Sequence, residues 1–117
     1  MQDFRSLKVW QKGHELTIAV YKATAKFPKQ ELYGITSQMR RASASIPSNV
    51  AEGCGRAGKP ELGRFLQISM GSASELEYHL LLSRDLELLS DSEYRRLDAL
   101  TIELKRMLSS FIVGLRG

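Results

Sequence analysis

Cysteine is nearly absent from this sequence of 117 residues, in which Cys54 is the single example. One cysteine excludes a disulfide within the chain and a zinc site made of several cysteines. Proline is also scarce, with three residues, and β-branched residues are few beside Leu, Ala, Glu, Lys and Arg, a composition typical of helices. No apolar run approaches the roughly 20 residues of a membrane span, and the first residues, MQDFRSLKVW, lack the apolar segment of a secretory signal. We therefore expect a helical, cytoplasmic protein that does not enter a membrane.

The sequence is equally poor in catalytic patterns. Its two histidines, His14 and His79, are not paired at a metal-ligand spacing, and no serine stands in a nucleophile-elbow sequence. Residues 53–60, GCGRAGKP, match most of the phosphate-binding pattern GxxxxGK[ST]. However, Pro60 replaces the hydroxyl residue, and the preceding segment is predicted to be a helix where the pattern requires a strand. We predict no catalytic residue, no metal site and no cofactor, and an enzyme is the least favoured class of function.

Apolar residues at helical spacing are what the sequence does contain, in four segments. These are residues 6–26, a segment from residue 30 or 31 to 52, residues 60–89, and a helix that begins at the capping box SDSE of residues 90–93. The short connections predict one domain, residues 1–117, folded as an all-α, antiparallel up-and-down four-helix bundle. On the first helix, the repeating apolar and small residues are Val9, Gly13, Leu16, Val20, Ala23 and Phe27.

The second segment is unusual because small and polar residues fill it. Residues 38–53 have the sequence QMRRASASIPSNVAEG, and Pro47 removes one amide donor, so we expect a kink there or a break near residues 45–46. Residues 71–76, GSASEL, repeat the combination of small side chains and a carboxylate. Small residues let two helices approach closely, and polar groups at such a contact need partners. We therefore expect the two segments to face each other, with these structural or interface residues: Arg41, Pro47, Asn49, Glu52, Gly71, Ser72 and Glu75.

An ion pair is expected at this contact. We predict that Arg41, or Arg40 if the helix phase differs, pairs with Glu75 across the second and third helices. Neither Arg41 nor Glu75 has an opposite charge at a suitable spacing within its own helix. The alternative is that Arg41 contacts a phosphate group of a ligand.

The net charge of +4 is unevenly distributed along the chain. Residues 1–31, 32–64 and 95–117 each carry +3, whereas residues 65–94 carry −5. The simpler interpretation is a solvated surface whose opposite charges pair within the bundle or between subunits. The other interpretation is a basic surface that binds nucleic acid. Its candidate residues are Arg40, Arg56, Lys59 and Arg64.

Six short motifs are spread over nearly the whole chain. They are FxxLxxW at 4–10, FPxxExYG at 27–34, QxxRA at 38–42, SIPxNxAEG at 45–53, RFL at 64–66 and GSxxEL at 71–76. Together they resemble a bacterial family, the four-helix bundle proteins related to the 23S rRNA intervening-sequence protein, and the run from SIP to EG is the most specific part. The loop at residues 56–60 departs from the family's usual pattern, which tends to carry a serine near the cap of the third helix.

The resemblance implies a four-helix bundle that assembles as a homopentamer. Some members of the family are encoded within insertions in large-subunit ribosomal RNA genes. A similar pentameric bundle, the accessory protein of diversity-generating retroelements, binds nucleic acid and a reverse transcriptase through a basic surface. We therefore expect a homo-oligomer that binds nucleic acid, RNA more than DNA, through phosphate contacts. The alternative is an assembly or scaffold protein that binds another protein and has no nucleic-acid role.

Overall fold

Residues 2–116 of the computed structural model contain four long α-helices and no strand. The predicted all-helical fold with four helices is therefore confirmed. The molecule measures 43 × 22 × 20 Å, a shape that follows from long helices lying side by side. Within residues 2–116, no helix combines the length and the apolar character that a membrane crossing requires. The helices are α1 (Lys8–Thr24), α2 (Ser37–Cys54), α3 (Lys59–Asp85) and α4 (Asp91–Arg116).

The buried face of α1 is the one that its residue spacing predicts, because the five predicted residues within α1 are buried, as is Phe27 beyond its end. Gly13 lies where α1 packs against α2, and a Cβ at this position would be 3.5 Å from both Ile46 and Pro47. Gly13 therefore lies directly beneath the ring of Pro47, where an added Cβ would be in ordinary van der Waals contact. The core is completed by fully buried leucines of the last two helices: Leu66, Leu76, Leu80, Leu97, Leu104 and Leu108.

The start of α2 differs from the prediction. The residue spacing predicts a helix from residue 30 or 31, but regular α-helix begins only at Ser37. A 3₁₀ turn (Lys29–Glu31) and a π-helical segment (Leu32–Thr36) come first. Gly34 has φ −111° and ψ −116°, which lies outside the helical region and interrupts the regular ladder of hydrogen bonds.

Pro47 lies inside α2 without breaking it, so the break expected near residues 45–46 is wrong, while a bend at Pro47 stays a prediction. Proline has no amide hydrogen, and the carbonyl of Ser43, four residues earlier, therefore loses its helical donor. The hydroxyl of Thr17 on α1 lies 2.9 Å from this carbonyl oxygen and can donate to it. The same hydroxyl lies 2.8 Å from the carbonyl oxygen of Gly13. The single hydroxyl hydrogen of Thr17 is thus shared between the carbonyls of Gly13 and Ser43, and α1 supplies part of the donor that α2 lacks.

The contact between α2 and α3 is close, as the small residues predict. The hydroxyl of Ser69, which is fully buried, donates to the carbonyl oxygen of Ile46 at 2.8 Å. A Cβ added to Gly53 would lie 3.0 Å from the side chains of Leu62 and Phe65. Only glycine therefore fits at this position without a shift of its neighbours.

α3 ends at Asp85, four residues before the predicted position 89. Glu87 takes a positive φ of 63°, and the amide of Leu88 donates to the carbonyl oxygen of Ser83 at 2.8 Å. This pattern closes the last turn of the helix, and glycine is the usual residue at such a position. The end was misplaced because no glycine marks it.

The capping box at the start of α4 is confirmed. The amide of Glu93 donates to the hydroxyl oxygen of Ser90 at 3.1 Å, and the amide of Ser90 donates to the Glu93 carboxylate at 3.5 Å. Lys26, just beyond α1, also donates to Glu93 at 3.0 Å. This last hydrogen bond lowers the pKa of Glu93, because it stabilises the charged carboxylate.

Candidate nucleic-acid interface

Three of the four residues predicted to contact nucleic acid lie at one end of the molecule. Arg56 is in the loop between α2 and α3, Lys59 is the first residue of α3, and Arg64 follows about one turn later. Two shallow grooves share Lys59: one of about 330 Å³ is also lined by Arg56, and one of about 280 Å³ is lined by Arg64 and Arg116, the last residue of α4. We refer to Arg56, Lys59, Arg64 and Arg116 as the basic end.

Arg56 and Arg64 are both held near one aromatic ring. Their guanidinium carbons lie 5.2 and 4.5 Å from the centroid of Phe65, within the range of cation–π attraction. Each arginine also has a carboxylate partner, Glu52 at 3.1 Å from Arg56 and Glu61 at 3.0 Å from Arg64. The hydrogen bond from Arg64 lowers the pKa of Glu61. Because these charged groups are well exposed, the pairs orient the guanidinium groups more than they stabilise the fold.

Lys59 and Arg116 differ from these two arginines, because neither takes part in an ion pair within residues 2–116. Lys59 follows Gly58, whose φ of +83° lies in the region that favours glycine. The backbone conformation at the start of α3 thus requires a glycine immediately before Lys59. Because a helix precedes the loop, residues 53–60 do not have the strand–loop–helix context of a nucleotide-binding loop.

Arg40, the fourth predicted residue, is not part of the basic end. Its Nε donates to the hydroxyl oxygen of Thr24 at 2.9 Å, and its Nη2 donates to the carbonyl oxygen of Tyr21 at 3.4 Å. The guanidinium carbon also lies 4.7 Å from the centroid of the Tyr21 ring. These contacts tie the start of α2 to the end of α1.

Two of the predicted structural residues, Pro47 and Ser72, lie in contacts between helices, and a third, Asn49, makes its hydrogen bonds within α2. The hydroxyls of Ser45 on α2 and Ser72 on α3 are hydrogen-bonded at 2.8 Å. The side-chain amide of Asn49 donates to the carbonyl oxygen of Ser45 at 2.8 Å and reaches its hydroxyl oxygen at 3.0 Å. Pro47 packs on Gly13 as described above. Asn49, Ser72 and Pro47 therefore have a structural role in the bundle.

The other predicted interface residues lie on the outside, and the expected ion pair does not form within residues 2–116. Neither Arg41 nor Arg40 pairs with Glu75, whose side chain is 52% exposed. The reason is the rotation of about 100° per residue along a helix. Ser72 points toward α2, so Gly71, one residue earlier, lies on the exposed side, and Glu75 lies one turn further along that side.

Sequence reasoning misses two residues of these contacts, Thr17 and Arg116. Pro47 signals that an acceptor one turn earlier needs a new donor, but the sequence does not say which neighbouring helix supplies it. For Arg116 a usable signal exists, since the last turn of α4 in an up-and-down bundle lies beside the first turn of α3.

Comparison with known proteins is consistent with this arrangement. A sequence profile described as 23S rRNA-intervening sequence protein matches residues 5–110. The chain belongs to this family. The resemblance inferred from the six motifs is therefore confirmed, and no curated protein matches the sequence.

The fold of this member of the 23S rRNA-intervening sequence protein family is similar to solved structures, among them a protein with unknown function from the S23 ribosomal protein family of Bacteroides thetaiotaomicron. The TM-score is 0.80, the match covers 89% of this chain and 97% of the other, and the sequences are 24% identical. The similarity shows the fold alone. In this family member, the SIPxNxAEG motif supplies contacts between helices, whereas all four residues of the basic end lie outside that motif.

Proposed function

We propose that this protein binds RNA through phosphate contacts at the basic end and has no catalytic role. The observation that supports this proposal is the convergence of four cationic side chains on two grooves that share Lys59. Phosphate oxygens accept hydrogen bonds from arginine and lysine, and such contacts position a protein on a nucleic acid without reading its sequence. Phosphate contacts alone do not distinguish RNA from DNA, so the choice of RNA rests on the family resemblance.

The two kinds of cation at the basic end suit this role in different ways. Arg56 and Arg64 are oriented by Phe65 and by their carboxylates, so their guanidinium groups are arranged before a ligand arrives. Lys59 and Arg116 have no carboxylate to displace within residues 2–116. These two residues should therefore contribute most to the salt dependence of binding.

The test is fluorescence anisotropy with a labelled RNA hairpin at salt concentrations from about 50 to 200 mM. Each phosphate that the protein neutralises adds about 0.7 to 0.9 to the slope of log affinity against log salt. We expect the double variant Lys59→Ala/Arg116→Ala to bind more weakly and to lower this slope by about 1.4 to 1.8. The matched control is Arg95→Ala/Arg96→Ala, which removes two exposed positive charges near the other end of α4.

Equal losses in the two double variants would mean that total charge, and not the basic end, determines binding. No binding of the hairpin at the lowest salt would overturn the proposal. It would favour the alternative of a scaffold protein that binds another protein.

We also propose that the chain assembles with copies of itself. Two outward-facing patches support this: one contains Ile68 and Tyr78 on α3, which are 41% and 58% exposed, and the other contains Ile18 on α1, which is 42% exposed. Between the first pair lies Gly71, where an added Cβ would meet no atom within 4 Å. Two different patches on one subunit suit a heterologous interface, which closes into a ring. The number five rests on the family resemblance alone.

Light scattering tests this assembly. We expect a mass several times the 13.2 kDa of one chain. Ile68→Glu places a charge in one patch and is expected to lower the mass, whereas Val113→Glu, at an exposed position on α4, leaves it unchanged. A wild-type mass near that of one chain would contradict the proposal.

We infer the antiparallel course from the order of contacts. Met39 near the start of α2 contacts Ser83 near the end of α3, and Ile46 further along α2 bonds to Ser69, which comes earlier in α3. Such a reversed order is expected of neighbouring helices that run in opposite directions.

A further inference from the structure

A third groove, of about 390 Å³, lies where the end of α1 meets the segment that leads into α2. Its volume is within the range of ligand pockets, about 300 to 1,000 Å³. Two tyrosines and two arginines line it, and no carboxylate does. We refer to Tyr21, Tyr33, Arg40 and Arg41, which line it, as the tyrosine–arginine groove.

Arg40 is fixed in this groove before any ligand is present. Its Nε and Nη2 donate to Thr24 and Tyr21, and its guanidinium carbon lies 4.7 Å from the centroid of the Tyr21 ring. A guanidinium group has five N–H donors, so three remain for a ligand. The conformational entropy of the Arg40 side chain is lost when the protein folds and not when a ligand binds. This favours the binding of an anion at this position.

Tyr33 and Arg41 are the exposed members of the groove. Tyr33 is 94% exposed, and it belongs to the π-helical segment that precedes α2. Arg41 is exposed and takes part in no ion pair within residues 2–116. An aromatic ring in solvent next to a guanidinium group without a carboxylate offers a stacking surface and a charged hydrogen-bond donor side by side.

We propose that the tyrosine–arginine groove binds one unpaired nucleotide of a single strand, with the base stacked on Tyr33 and the two phosphates that flank it bound by Arg40 and Arg41. A paired base is stacked within its own helix, so only an unpaired one can lie flat on an aromatic side chain. The proposal rests on the proposed function in that the ligand is again a nucleic acid. It adds a base contact to the backbone contacts of the basic end.

The same chemistry is present in a free mononucleotide and in a nucleotide of a single strand. We expect the single strand, because Arg41 and Arg40 can contact successive phosphates of one chain. Labelled single-stranded oligo(A) is therefore the main probe, with AMP as competitor and a blunt RNA duplex without a loop as the paired probe. If AMP displaces labelled oligo(A) at the same concentration as unlabelled oligo(A) does, the ligand is the free nucleotide. If unlabelled oligo(A) displaces it at a concentration about tenfold lower than AMP does, the ligand is the strand.

Tyr33→Ala is expected to weaken oligo(A) binding by about 5- to 150-fold, since stacking on one aromatic side chain contributes about 1 to 3 kcal/mol. Tyr33→Phe keeps the ring and should bind within about threefold of wild type. Arg41→Ala should weaken binding and lower the salt slope by about 0.7, as expected for one phosphate contact on a single strand. Arg95→Ala, with the same loss of charge at an exposed position of α4, is the matched control.

The outcomes separate this proposal from the proposed function. Oligo(A) binding that is unchanged in Tyr33→Ala, or equally weakened in Arg95→Ala, overturns the groove while hairpin binding through Lys59 and Arg116 can stand. Wild-type protein that binds oligo(A) through Tyr33 but does not bind the paired probe at low salt overturns the basic end and supports the groove. A wild-type protein that binds neither probe at low salt overturns both. Thermal melting of each variant verifies that the substituted protein is folded.

Discussion

The hydroxyl of Thr17 lies 2.9 Å from the carbonyl oxygen of Ser43, the acceptor that Pro47 leaves without a helical donor. A proline in the middle of a helix costs about 3 kcal/mol or more, partly through this lost hydrogen bond. In this protein, α1 supplies part of the missing donor and presents Gly13 to the proline ring. The proline therefore belongs to the packing of α1 against α2, and its effect on stability depends on residues 30 and more positions away in sequence.

Thr17→Val is predicted to destabilise the fold by about 1 to 3 kcal/mol, because the isosteric side chain leaves the Ser43 carbonyl without a donor. Pro47→Ala restores a main-chain amide at this position. The cost of Thr17→Val should therefore be smaller in a Pro47→Ala background. Urea denaturation of the four proteins of this double-mutant cycle measures the difference.

Thr17→Ser keeps the hydroxyl and is the control for this cycle. Equal costs of Thr17→Val in the two backgrounds would show that the hydroxyl does not serve the acceptor left by Pro47.

Two glycine substitutions should have opposite effects. Gly53→Ala places a Cβ 3.0 Å from Leu62 and Phe65 and should destabilise the fold by about 1 to 3 kcal/mol. Gly71→Ala places a Cβ in open space, and because alanine favours helix it should stabilise the single chain by about 0.5 to 1 kcal/mol. Thermal melting gives both values. If Gly71→Ala is destabilising, and light scattering shows a reduced mass, then a second copy covers this face.

Arg40 and Arg41 are neighbours in sequence but should differ in their effect on stability. Arg40→Ala removes two hydrogen bonds from a charged donor and the contact with the Tyr21 ring, so we expect a loss of about 1.5 to 3 kcal/mol. Arg41→Ala removes an exposed side chain, and its effect should stay within about 0.5 kcal/mol. Chemical denaturation of the two variants is the measurement, and equal losses would be contrary to the structure.

The carboxyl group of Asp98 should make stability fall as pH rises. Burial, and then the charge of Glu77, raise the pKa of Asp98 above its ordinary value of 3.8. The folded state therefore retains the proton to a higher pH than the unfolded chain does, and the penalty is absent below 3.8 and complete above the raised pKa. Asp98→Asn should stabilise the protein at pH 7 by up to about 0.5 kcal/mol, because solvent screens part of the effect.

This advantage should disappear in urea denaturation below pH 3.8, where the wild-type carboxyl group is neutral in both states. A variant that is equally stabilised at both pH values would show that shape, and not charge, is responsible.

The sequence predicts the fold best where spacing alone determines the result. The buried face of α1 and the capping box between Ser90 and Glu93 follow from local patterns and are confirmed. The beginning of α2 does not, because the backbone of Gly34 leaves the helical region although the neighbouring residues favour helix. The end of α3 is missed because Glu87 adopts a positive φ that a sequence leads one to expect only for glycine.

The candidate site was predictable in part for a similar reason. Arg56, Lys59 and Arg64 are close in sequence, so their proximity at one end follows from a single loop and helix start. Arg116 joins them only through the packing of the whole chain. The predicted ion pair between Arg41 and Glu75 is wrong because a phase difference of one residue moves Glu75 from the helix contact to the outer side.

At two of the four residues of the basic end, Arg56 and Arg64, a ligand must exchange with a carboxylate that is already bound. A phosphate that binds to either arginine replaces Glu52 or Glu61, which are already within 3.1 Å, so few bound salt ions are set free by that contact. The displaced carboxylates then remain near the ligand as uncompensated negative charges. A single phosphate gains little from such an exchange, whereas a folded backbone that engages Lys59 and Arg116 at the same time can offset the repulsion. Glu52 and Glu61 thereby lower the affinity for single small anions and favour a ligand that presents several phosphates in a fixed arrangement.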